Sequence, residues 1–397
     1  MLRHLVKLMW NRRQANGLLI TEIFFAFIVL FIVGSALIYN QQNYRTLLGF
    51  DYEQVWQVDL DAGNDQRSDR ELEATQRQIV QRLQTLPGVR AVARTSSNTP
   101  FSGNTNRSDL KRTKGSGGAY TNGNFYYMED AMQPVLHLHI TQGRWFDKRD
   151  DGAARLPVVI TRETQEELFP GQSPLGQVLY SGDLETQVVG VAESYRASGD
   201  LSDPRAAVFL RVSPQDTTFA HLEKLLVRVQ PDAGAELEKQ MSTEIMRIGR
   251  GWGSNIGPLS EYRVSQLKLV LTPLIALIIV SLFLIINVAL GLFGVLWLNI
   301  SRRRGEIGVR RAMGATAGNI SWQVLGEILV LTTFGLLLGL LVAAQFPLLG
   351  VLGVQTGVYL TAMLLAAGLL YLLATVCALY PSRLAAGIQP AVALREE

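Results

Sequence analysis

Four stretches of this chain are long, apolar and almost free of charge, and together they leave few folds open. A helix needs roughly 20 apolar residues to cross the hydrocarbon core of a bilayer. The stretches 17–39, 269–298, 324–350 and 358–380 each meet that length, and none holds more than one charged residue. The segment joining the last two carries no charge at all, so it reads as a short turn. Charged residues make up only 18% of the 397-residue chain, against roughly 25% in average soluble proteins. The deficit is concentrated in these stretches, and the middle of the chain is ordinary and polar. The expected fold class is an α-helical membrane protein with four transmembrane helices and one large domain, 40–268, between the first two.

The basic residues orient the spans. Arg3, Lys7, Arg12 and Arg13 precede the first; Arg302, Arg303, Arg304, Arg310 and Arg311 follow the second; Arg383 and Arg395 follow the fourth. Positive residues near span ends favour the cytoplasmic side. Both termini and the loop 299–323 are therefore expected inside, with 40–268 and its stalk outside and 381–397 as a cytoplasmic tail. The first span is too long for a signal-peptide core, and no small-residue cleavage site follows it, so it reads as an uncleaved anchor. Ahead of it, Leu2, Leu5, Val6, Met9 and Trp10 recur at helical spacing. Residues 1–16 read as an amphipathic helix on the inner lipid surface.

In the polar middle, 55–60 alternates like a strand, 66–86 has helical apolar spacing, Pro87-Gly88 breaks it, and 89–93 returns as a strand. A similar order recurs at 206–212, 225–229 and 233–248. The domain is read as an α/β (βαβ-type) subdomain carrying a mostly β insertion at about 97–200. Within that insertion 102–123, rich in Gly, Ser, Asn and Thr, reads as a mobile loop.

Catalytic constellations are not found in the sequence. There is no G-x-x-x-x-G-K-[ST], no G-x-S-x-G and no H-E-x-x-H; Lys114-Gly-Ser-Gly-Gly lacks the lysine and hydroxyl that must follow the last glycine. No cofactor or metal is expected in this chain. His137 and His139 are two apart in an expected strand, with Glu129 and Asp130 nearby, but no third strong ligand completes a metal site. The single cysteine, Cys377, permits no intrachain disulfide, and a net charge of +3 does not suggest nucleic acid as a partner. Glu22 and Glu327 lie near the inner ends of spans one and three, where a structural role is expected.

After the second span comes Ser301-Arg-Arg-Arg-Gly-Glu-Ile-Gly-Val-Arg-Arg-Ala-Met-Gly-Ala-Thr316. A loop serving only topology needs scattered basic residues. This one adds the apolar pair Ile307 and Met313 and several small residues, which suit a helix lying under the membrane and pressing into a partner's groove. The string resembles the cytoplasmic loop of MacB/FtsX-type ABC transporter permeases. Three further segments are similar to that family: 158–176 followed by Val188-Val-Gly-Val191; the closing Tyr380-Pro-Ser-Arg-Leu-Ala-Ala-Gly-Ile-Gln-Pro-Ala-Val-Ala-Leu394; and Trp10-Asn-Arg-Arg before the first span.

The resemblance implies a non-catalytic permease in the bacterial inner membrane, driven by a separate ABC ATPase dimer that binds ATP and Mg. Arg303, Arg304, Glu306, Ile307, Arg310, Arg311 and Met313 would couple the two. It further implies a second permease copy or paralogue, and a membrane-fusion protein with a TolC-like outer-membrane channel. Mechanotransmission is the implied mechanism: closure of the ATPases shifts the inner helix, and the long second span, with Pro273 as a bend, moves the outer domain for export or efflux. Lipoprotein extraction of the Lol type and FtsX-like regulation of a cell-wall hydrolase are the alternatives.

Overall fold

The computed structural model describes residues 13–63, 65–115, 118–212 and 224–387. The amphipathic helix expected before the first span, with Trp10-Asn-Arg, lies outside the described residues, as does the chain after Gly387. Two compact units result. One is helical, built from 13–42 and 271–387; the other is a sheet domain, Asn43–Val270.

In the sheet domain, β1 (Val55–Asp61) leads to α2 (Asp69–Gln84) and β2 (Val89–Thr95). The helix starts where Ser68 and Glu71 form a capping box, satisfying backbone N–H groups that the first turn would otherwise leave unpaired. It stops before Gly88, whose φ of +96° favours glycine. Late in the chain, β10 (Lys224–Val229), α5 (Ala235–Ile248) and β11 (Gly253–Pro258) repeat this plan. The sheet order is β11-β1-β10-β2, and every neighbouring pair is antiparallel. The helix-linked strands β1 and β2 therefore run parallel without touching, because β10 sits between them. This split arrangement replaces the adjacent strands of a simple βαβ unit. Ile79 and Leu83 of α2 and Leu237, Met241 and Ile245 of α5 bury one face of the sheet. Each such side chain contributes roughly 1.5–3 kcal/mol.

Between β2 and β10 the insertion forms β3 (Arg107–Lys111), β4 (Tyr120–Met128), α3 (Met132–Leu136), β5 (Ile140–Gly143), β6 (Leu156–Thr161), α4 (Arg162–Leu168), β7 (Val178–Ser181), β8 (Leu184–Ala192) and β9 (Ala207–Arg211). Pairings run β4-β3-β7-β8-β6-β9 and return from β9 to β4, so six strands close on themselves as a barrel. Two of the pairs, β4–β9 and β6–β8, are parallel, which makes the sheet mixed. All six strands feed one buried apolar cluster, into which α4 and the residue after it insert Leu168 and Phe169. Closure leaves these strands no free edge to pair with other chains.

Two expectations change here. Residues 102–123 are not a loop throughout: Arg107–Lys111 and Tyr120–Met128 pair in register. Only Leu110 of β3 points into the barrel, so the segment has no apolar alternation to betray it. The strand at 206–212 belongs to the barrel, so the insertion extends past residue 200.

The helices of the chain outside the sheet layers are α1 (Arg13–Tyr44), α6 (Leu259–Arg302), α7 (Arg304–Ala312), α8 (Ala317–Ala343), α9 (Gln345–Leu348) and α10 (Thr356–Ala386); they build the helical unit, except that 43–44 of α1 and 259–270 of α6 belong to the sheet domain. Among the described residues, four helices are long and apolar enough to cross a membrane. The third breaks at Ala344, because Pro347 cannot donate to the Ala343 carbonyl and its ring crowds that turn. Gly335 and Gly339 let α8 lie against α1: an added Cβ would sit 2.8 Å from Ile23 and 2.4 Å from Phe27. Such small-x-x-x-small spacing suits helix contact in lipid, where close packing replaces the hydrophobic effect. The 44-residue α6 contains Pro273 and reaches ~66 Å at 1.5 Å per residue. Only 11% of its most apolar window is buried, against 33–39% for the other three, so it forms the edge of the bundle.

Candidate functional site

The loop after the second apolar helix is a small folded element. α6 ends at Arg302, and Arg303, at φ −110° and ψ 16°, breaks the helix. The nine-residue α7 follows and is closed by a Schellman motif. Gly314, at φ +96°, donates to the Arg311 carbonyl at 3.1 Å, and Ala315 donates to Arg310 at 3.0 Å. Thr316 then caps α8, accepting from the Asn319 N–H at 3.3 Å.

A chain of charge-assisted hydrogen bonds fixes this element to the N-terminal part of α8. Arg303 donates to both oxygens of Glu327, at 3.0 and 3.2 Å. Gln323 bridges Glu327 at 3.3 Å and accepts from Arg310 at 2.9 Å. Arg310 closes the chain on Glu306 at 2.5 Å, one helical turn away. The cleft among these residues holds about 30 Å³, room for one or two waters.

The apolar pair expected on this helix divides. Ile307 is buried against Ile300, Ile320 and Ala385 of the same chain. Met313 is 76% exposed, and Val309 is exposed beside it. A helix this short presents one face to α6 and α8 and the other outward. Ile307 falls on the inner face, while Met313 sits at the cap, past the last full turn. Arg304 lies on the exposed side; Arg311 and Arg310 are half-buried.

Elsewhere, His137 and His139 do not share a strand face. His137 ends α3 in the left-handed region and meets Asp51 at 2.7 Å; His139 lies 3.6 Å from Glu193. Among the described residues no cluster of His, Cys, Asp and Glu suited to a metal is present. Glu129 and Asp130 instead hold two buried arginines, Arg94 and Arg211. Glu22 faces Gly291 of α6, where a Cβ would lie 2.6 Å from its carboxylate. Lys114 pairs with Glu185 at 3.3 Å.

A split α/β sheet carrying an inserted barrel lies in the chain between the first two of four apolar helices among the described residues, the plan of a multi-pass membrane protein with one large extramembrane domain. Residues 23–244 match the family model of the MacB-like periplasmic core domain, and residues 278–390 match that of the FtsX-like permease C-terminal region. The chain belongs to the MacB/FtsX family of ABC transporter permeases. It is 30% identical over 218 residues to the macrolide export ATP-binding/permease protein MacB 1/2 of Paracoccus denitrificans, covering 54% of this chain and 32% of that one. It is 25% identical over 221 residues to the uncharacterized ABC transporter permease YknZ of Bacillus subtilis, covering 54% of each. The chain thus spans about a third to a half of the length of these curated relatives. The crystal structure of the periplasmic region of MacB from Actinobacillus actinomycetemcomitans is similar at 14% identity and a TM-score of 0.39, covering 57% of this chain and 97% of that one.

Proposed function

We propose that this chain is the membrane-embedded permease of an ABC exporter of the mechanotransmission type, and that α7 seats in a separate ATP-binding partner. The observation that carries this reading is α7 itself. It is a separate helix, broken from α6 at Arg303 and anchored to α8 through Glu327, with Val309 and Met313 left exposed. Force applied to so short and firmly held an element passes to the long helices instead of being lost in loop motion. ATP and Mg bind the partner, and this chain performs no hydrolysis. α1 and α6 are unbroken along their length, so displacement at their inner ends reaches the domain 43–270. No cargo needs to pass between the helices.

In this reading a second permease copy or paralogue packs along the exposed face of α6. Gly291 is not available to that contact, since its face is taken by Glu22 of the same chain; Gly294, with open space around it, is. A membrane-fusion protein and an outer-membrane channel are the proposed partners of the domain 43–270, which suits export.

The test is topological. With Cys377 replaced by Ala, single cysteines at Asp183 and Ser301, both exposed, are probed in intact cells whose outer membrane has been made permeable to an impermeant thiol reagent. Asp183→Cys is expected to label at once, and Ser301→Cys only after the inner membrane is opened. The opposite pattern would invert the permease and remove α7 from the side where ATP is available.

A further inference from the structure

Within the sheet domain, one loop grips the chain at both places where the long helices enter it. The loop is 193–206, between barrel strands β8 and β9. From it Arg196, 2% exposed, reaches the chain just after α1 and donates to the Thr46 carbonyl at 2.6 Å. The same guanidinium donates to the carbonyls of Asp200, at 2.5 Å, and Ser202, at 3.0 Å, so it also holds its own loop in shape. Its backbone N–H donates to Leu48, and Asn43 at the end of α1 donates to the Leu201 carbonyl at 3.0 Å. Gly49, at φ +84°, passes so close to Ser194 that a Cβ would fall 1.5 Å from the Ser194 carbonyl oxygen. On the other side Asp200 takes a two-pronged hydrogen bond from Arg263 of α6, at 2.8 and 3.0 Å. Arg263 also lies 5.0 Å over the ring of Tyr52. Bidentate arginine–carboxylate pairs fix orientation as well as distance.

We infer that the 193–206 loop is the joint through which helix motion enters the domain, and that Asp200 and Arg263 are positioning residues that lock α6 to the barrel. This rests on the permease reading above and adds the point of attachment: the barrel follows α6 through the Asp200–Arg263 pair beside the buried Leu259, and α1 through Arg196. The pair is partly exposed, at 11% for Asp200 and 23% for Arg263, so removing it leaves the core intact. Leu259 supplies burial at this contact, and the charge-assisted pair fixes its orientation.

The experiment uses the permease purified with its ATP-binding partner in lipid nanodiscs, Cys377 replaced by Ala. Spin labels are placed at Asp183, in the β7–β8 turn, and at Leu349, between α9 and α10. The distance between them is measured without nucleotide and after trapping with ATP and vanadate. The unaltered complex is expected to show a nucleotide-dependent shift. Asp200→Asn and Arg263→Gln should lose most of that shift while ATP hydrolysis continues, and the exchanged pair Asp200→Arg with Arg263→Asp should regain it. A full shift in the single variants overturns the joint, as does an exchanged pair that hydrolyses ATP normally and stays unresponsive. Absence of any shift in the unaltered complex would instead count against the permease reading itself, so the two failures are distinguishable.

Discussion

Glu129→Ala is expected to destabilise the domain 43–270 by about 3 kcal/mol, the lower end of the range for breaking a buried ion pair, because Glu73 stays near Arg94. Glu129 and Asp130 follow β4 directly, and they face two different bodies. Glu129 accepts from the Arg94 side chain at 2.7 Å and from its backbone N–H at 2.8 Å, which ties it to β2 of the split sheet. Asp130 accepts two bonds from Arg211 of β9, at 2.7 and 2.9 Å, and Asp151 adds a third at 2.8 Å. Both arginines are almost wholly buried. Adjacent acids thus join the split sheet to the barrel where only one residue pair, Thr95 with Met128, links β2 and β4. Removing Glu129 leaves Arg94 with Glu73 at 3.8 Å and no acceptor for its backbone N–H from that side chain. At roughly 2–4 °C per kcal/mol for a domain of this size, the midpoint of thermal unfolding should fall on the order of 10 °C. Asp130→Ala should have a smaller effect, because Asp151 still holds Arg211. Equal midpoints for Glu129→Ala and the unaltered chain would show that the linkage between the two bodies does not rest on this acid.

Met313→Asp combined with Val309→Ser is expected to weaken binding of the ATP-binding partner at least tenfold, a loss of about 1.4 kcal/mol or more. These side chains are exposed on α7, and anchors filling a partner's groove dominate such contacts. Every arginine and the Arg303–Glu327 pair stay in place, so topology and fold should be unaffected. Ile307→Ala is the informative contrast. Ile307 packs against Ile300 and Ile320, so its loss creates a cavity and should reduce stability by about 2–5 kcal/mol. Its effect on the partner would be indirect. Binding measured between the purified subunits separates the cases; unchanged affinity in the double variant would leave this loop as a topological signal only.

What the sequence disclosed and what it hid follow from the range of the forces involved. The apolar helices were legible because a bilayer demands long runs of one residue class, a requirement written in consecutive residues. Helix α2 was legible through its period and its Pro87-Gly88 stop. Strand β11, Gly253–Pro258, was not: its residues carry no apolar alternation, and it is a strand only because β1 supplies a partner. Barrel closure likewise depends on β9 meeting β4 across some eighty residues. At the candidate site the composition of α7 was legible, including the Glu306–Arg310 pair at helical spacing. Its facing was not. Six residues apart, Ile307 and Met313 stand about 120° apart even on an unbroken helix at 3.6 residues per turn, and this helix ends at Ala312, before Met313. Glu327 reads from the sequence as an acid near a span end with a structural role, but its partner Arg303 is 24 residues away and is brought there by the turn between α7 and α8.

The central claim is that α7 couples this permease to a separate ATP-hydrolysing chain. The most direct measurement is the ATP hydrolysis rate of the ATP-binding chain that co-purifies with it from native membranes, assayed alone and with the permease in nanodiscs. The account predicts faster hydrolysis with the permease present, with the gain abolished by Met313→Asp and Val309→Ser. Equal rates with and without the permease, or the absence of any co-purifying ATP-binding chain, would contradict it.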